Sequence, residues 1–124
     1  MVTTLTSGQR ALLEERLELE KRELDRRIAL RLGGAGRVEH AREVLLQDAD
    51  DAPQREADRE LDMAMADRDI ALQGQVSRAL ARVQAPEFGL CSDCGTAIAF
   101  DRLRLEPWAE RCVACETVRE RARS

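Results

Sequence analysis

Aromatic side chains are almost missing: they make up 2% of the chain, with one Trp, two Phe and no Tyr, so a broad core built on rings is excluded. No run approaches the roughly 20 apolar residues of a membrane span. The N-terminus lacks the basic-then-apolar order of a signal peptide, which predicts a cytoplasmic chain without a membrane partner. Basic excess is also missing. Against 24 acidic residues stand 20 Lys and Arg, for a net charge of −4, whereas a free-standing nucleic-acid binder concentrates cations into a phosphate-facing footprint. Histidine occurs once, as His40, in a polar Gly-rich stretch with no cysteine beside it, and reads as a solvated side chain. No nucleophile with a matching base and no Gly-rich phosphate cradle can be found, so the expectation is that the chain is not an enzyme.

What is present is charge and aliphatic periodicity. With 124 residues, one domain-sized unit is expected, and a charged fraction of 35% in an Ala- and Leu-rich chain favours long helices over a compact globule. After Ser7, read as an N-cap, come Leu12, Leu13, Leu17, Leu19, Leu24, Ile28, Leu30 and Leu32 among Glu and Arg, an amphipathic helix that Gly33, Gly34 and Gly36 should end. Residues 37–47, with Val38, Ala41, Val44, Leu45 and Leu46, read as a short helical turn. Asp48, Asp50, Asp51 and Pro53 make an acidic turn, Pro suiting the first turn of the next helix.

That second helix is predicted from about Gln54 to Ala85, stopped by Pro86, with Leu61, Met65, Leu72, Val76, Leu80 and Val83 at three-, four- and seven-residue steps. Two apolar stripes one connection apart bury each other most cheaply as an antiparallel pair. The expected fold class is mainly α. Residues 1–86 form a helical hairpin (coiled coil) with an acidic tip near 48–53, and residues 87–124 form a small zinc-finger module with a short C-terminal helix.

Cys91-Ser-Asp-Cys94-Gly95 and Cys112-Val-Ala-Cys115 stand seventeen residues apart. Paired CxxC at this spacing is the arrangement of a tetrahedral thiolate site, and in a reducing compartment it reads as metal ligation rather than disulfides. Each pair can wrap its backbone around one ion, with Gly95 relieving the tight turn. Four thiolates leave no open position for water or substrate, so one structural zinc is expected, not a catalytic one. Dithiol redox chemistry usually needs a single exposed CxxC in a thioredoxin-like setting. A DNA-binding finger is disfavoured by the balanced charge from Cys91 to Ser124.

The segment from Phe88 to Gly95, continued by Ile98, Arg102-Leu103, Pro107, Ala109 and Cys112-Val-Ala-Cys115, resembles the DksA/TraR family. The preceding hairpin and the closing residues from Glu116 to Arg123 fit the same architecture. The resemblance implies a bacterial transcription regulator that binds RNA polymerase directly and inserts its hairpin into the secondary channel without contacting promoter DNA. It also implies an Asp-x-x-Asp-x-Ala tip, whose acidic positions fall on Asp48 and Asp51, while Pro53 holds the alanine position. Arg68 and Leu72 match positions that help to bind the alarmone ppGpp at the polymerase interface. Gln75 and Glu116 stand where family members offer lysines to phosphate, implying a weakened or absent ppGpp response. Arg102, Leu103, Pro107 and Trp108 are read as packing residues. The alternative is a zinc-stabilised protein-interaction adaptor without DksA-type tip activity.

Overall fold

A computed structural model describes residues 5–34 and 52–123. The expected tip residues Asp48, Asp50 and Asp51, the 37–47 turn, Gly36 and His40 lie outside the described residues. Four α-helices are present among the described residues: α1 (Ser7–Ala29), α2 (Ala52–Arg82), α3 (Phe100–Leu105) and α4 (Val113–Arg123). A five-residue π-helical segment, Leu30–Gly34, follows α1. The fold class is mainly α, as the periodicity predicts.

The first helix is capped by Thr6, not Ser7. Thr6 Oγ1 accepts from Gln9 N at 3.0 Å and Gln9 Oε1 accepts from Thr6 N at 3.0 Å, a reciprocal capping box that satisfies two otherwise orphaned backbone donors. Ser7 is already helical. The glycines do not end the α-helix directly either. It stops at Ala29 and widens into the π segment, whose i→i+5 bonding accommodates an extra residue per turn.

At the other long helix, Pro53 sits in the first turn, where its missing N–H costs nothing. The helix ends at Arg82 rather than Ala85, because the chain leaves in successive tight turns: Ala85 N donates to Arg82 O at 2.7 Å and Phe88 N to Ala85 O at 3.1 Å. Arg10 completes this ending. Its Nη1 donates to Ala85 O at 2.9 Å and to the Val83 carbonyl, and its guanidinium lies 5.8 Å over the Phe88 ring, a cation placed where a helix exposes its carbonyls.

The chain forms two compact units, residues 1–21 with 75–124 and residues 22–74. In the first, Leu13 and Leu17 of α1, Val76 and Ala79 of α2, and Val83, Phe88, Ile98, Leu103 and Pro107 beyond it are buried. Gln84 Nε2, in the turn just past α2, donates to Glu14 Oε2 of α1 at 2.6 Å.

In the second unit, Leu24 and Ala66 are buried, but Leu30, Leu32, Leu61, Met63, Met65 and Ile70 are exposed. Leu61 and Met65 therefore do not continue the buried stripe, nor do Leu12, Leu19, Leu30 and Leu32. Two paired helices bury a narrow seam at roughly seven-residue spacing, which in this unit runs from Leu24 of α1 to Arg31 of the π-helical segment, so leucines off that line stay in solvent. The seam itself turns ionic. Arg27 Nη2 lies 3.2 Å from Asp69 Oδ1, Arg31 Nε 3.6 Å from Asp69 Oδ2 and Arg31 Nη1 3.8 Å from Asp62 Oδ1, while Gln73 donates to Asp25. As the chain advances from Asp25 of α1 to Arg31 of the π-helical segment its partners fall from Gln73 to Asp62, so the two elements run antiparallel here. No helix among the described residues is long and apolar enough to cross a membrane.

Candidate metal centre

The first cysteine loop is a tight hairpin. Cys91 N donates to Thr96 O at 2.7 Å, Gly95 N to Cys91 O at 3.0 Å and Ile98 N to Gly89 O at 2.7 Å, with an antiparallel bridge between Leu90 and Ala97. Gly95 has φ +77°, yet a Cβ there would meet nothing within 4 Å. Glycine is required by the left-handed backbone and not by lack of room.

The second pair sits at the start of α4, where Glu116 N donates to Cys112 O at 3.0 Å. The segment before it is sewn to the first loop: Ser92 N and Ser92 Oγ both donate to Glu110 O, at 2.8 and 2.9 Å. Arg111 Nε lies 3.0 Å from Asp93 Oδ2 and Arg111 Nη1 3.8 Å from Glu116 Oε2. The Glu110 carboxylate in turn meets Arg78 at 3.1 Å and Arg82 at 3.9 Å, which ties the module to α2.

These contacts converge Cys91, Cys94, Cys112 and Cys115. Their sulfurs all lie within 4.8 Å of one another, and Cys94 Sγ is 3.8 Å from Cys112 Sγ. Zinc–sulfur bonds of about 2.3 Å make the edge of a tetrahedron about 3.8 Å, so the group fits the ion, whereas a disulfide needs about 2.05 Å. All four cysteines are free.

The thiols are electrostatically unequal. Burial pushes the Cys91 thiol up, but the backbone N–H groups of Cys94, Cys112 and Asp93 outweigh it and bring it down to about 6. The Thr96 hydroxyl and N–H hold Cys94 below its ordinary value. Cys112, then Cys91 and Cys94, push Cys115 up, since sulfurs this close resist ionising together. A dication removes that repulsion. The cluster thus suits one structural zinc, which the four sulfurs would hold.

Other positions singled out from the sequence lie elsewhere. Arg68 and Leu72 line an open cleft of about 470 Å³ with Arg27, Arg31, Met65 and Asp69. Gln75 and Glu116 border a recess of about 90 Å³ with Arg102, Glu106, Trp108 and Arg111. Leu103 and Pro107 are buried, and Arg102 Nε donates to Arg111 O at 3.3 Å. Sequence reasoning passed over Arg27 and Arg31, although Arg31 keeps the heptad step from Leu24. It also passed over Asp93, Glu110 and Arg111, whose only signal is lying within two residues of a ligand.

Residues 86–121 match the prokaryotic dksA/traR C4-type zinc finger. The chain is 32% identical over 70 residues to the RNA polymerase-binding transcription factor DksA of Escherichia coli, covering 56% of this chain and 46% of that protein. It is 30% identical over 73 residues to its namesake in Haemophilus influenzae, covering 59% and 50%. The match thus spans about half the length of these relatives. The solved structure of transcription factor DksA2 from Pseudomonas aeruginosa superposes with a TM-score of 0.77 at 27% identity, over 95% of this chain and 88% of that one. Residues 86–121 thus carry a zinc finger of the DksA/TraR type, and the chain shares its fold with DksA2.

Proposed function

We propose that the chain is a DksA-like transcription regulator that binds RNA polymerase directly, entering its secondary channel with the hairpin of residues 1–86 while the zinc module of residues 87–124 orients it. The observation that carries this reading is the likeness to DksA2 over nearly the whole chain, helices and finger together. The protein works in the cytoplasm, without sequence-specific DNA contacts and without catalysis of its own. Asp48, Asp50 and Asp51 are the polymerase-facing tip. Arg68 and Leu72 contact polymerase or ppGpp from their basic cleft, with a weak ppGpp contribution, since Gln75 and Glu116 offer phosphate no cation.

The adaptor reading is favoured by one specific contact: Glu116, where the family offers a lysine, faces Arg111 of its own chain. One experiment separates the two. Zinc-loaded protein is tested for retention by purified bacterial RNA polymerase, and the wild type is compared with an Asp48→Asn, Asp51→Asn variant in transcription. Retention with tip-dependent transcription supports the regulator; retention without tip dependence leaves a competitor for the channel; no retention sinks the polymerase reading and leaves the adaptor.

A further inference from the structure

We propose that Arg111 is a positioning residue for the zinc centre, bridging the two cysteine loops so that the four sulfurs stay converged. The three residues involved all border ligands: Asp93 lies inside the first CxxC, Arg111 immediately precedes Cys112 and Glu116 immediately follows Cys115. Four thiolates on one zinc leave a centre with a net charge of about −2. Asp93 and Glu116 set two more carboxylates beside it. Without a cation between them, these groups would push the loops apart.

Arg111 supplies that cation from a protected position. Its side chain is 18% exposed, against 46% for Asp93 and 33% for Glu116. Separate edges of the guanidinium face the two carboxylates, Nε toward Asp93 and Nη1 toward Glu116. A planar fork can hold two acceptors at once in fixed directions, which a lysine ammonium does less well. The backbone of Arg111 is itself anchored, its carbonyl taking Arg102 Nε and the neighbouring Glu110 carbonyl taking both donors of Ser92. The role is independent of whether the chain engages polymerase, and it gives Glu116 an internal partner.

The test uses the full zinc-loaded chain and follows zinc transfer to a chromogenic chelator at neutral pH. Groups around a metal site commonly change metal affinity 10–100-fold on mutation, so Arg111→Gln should release zinc about tenfold faster. Arg111→Lys should fall between that variant and the wild type. The cobalt-substituted Arg111→Gln protein should keep a tetrahedral thiolate spectrum, showing that the ligand set is intact. Because Asp93 is half exposed, Asp93→Asn is a second variant that tolerates the change; it too should release zinc faster, and in combination with Arg111→Gln the effects should fall short of additive. Release from Arg111→Gln at the wild-type rate would overturn the proposal, as would full additivity with Asp93→Asn or complete restoration by any neutral residue of similar size.

Discussion

Replacing Asp69 by alanine tests whether the ionic seam holds the second unit together. Asp69 is 15% exposed and faces two guanidiniums, Arg27 at 3.2 Å and Arg31 at 3.6 Å. Removing one member of a fully buried pair costs about 3–5 kcal/mol, and an exposed pair contributes about 0–1 kcal/mol. Arg27 and Arg31 are 34% and 24% exposed, and Arg31 keeps Asp62 at 3.8 Å, so the loss should lie between these limits, at about 1–2 kcal/mol. With a urea slope of about 2 kcal/mol per molar, the unfolding midpoint followed by circular dichroism should fall by roughly 0.5–1 M. A double variant, Arg31→Leu with Asp69→Leu, should recover that loss, since apolar groups at a paired seam remove the desolvation cost. An unchanged midpoint for Asp69→Ala, or a double variant no better than the single one, would refute the assignment of these charges to the seam.

Thr6→Ala should destabilise the chain by about 1 kcal/mol while Ser7→Ala leaves its denaturation midpoint unchanged, because only Thr6 closes the capping box. Gly95→Ala should cost about 1–2 kcal/mol despite the open space around the position, and Gly95→Asn less, which thermal melts of the zinc-loaded protein would show. Stripping the zinc with a chelator should expose residues 86–121 to limited proteolysis, and adding zinc back should restore protection; resistance that survives metal removal would mean the module folds on its own packing.

Chemistry that depends on local spacing was legible in the chain before any coordinates. Two CxxC pairs at seventeen-residue separation set the zinc, the heptad steps set the two long helices, and Pro53 marked where the second begins. The capping box was legible too, since Thr6 and Gln9 stand at the required three-residue step, but a serine at the next position concealed it. Which leucines are buried was not legible. Leu13, Leu17 and Leu24 disappear from solvent while Leu12 and Leu19 remain in it, because only the facing helix decides which narrow line of each surface is covered. The same holds for the charges: in the sequence Arg31 and Asp69 are two among many solvated residues, and only the antiparallel pairing brings them face to face. Arg111 is another such residue until the turns around the cysteines carry Asp93 and Glu116 to its two edges. Local spacing thus determined the helices and the metal, and tertiary pairing decided which of their side chains are buried and which charges meet, since those depend on neighbours far away along the chain.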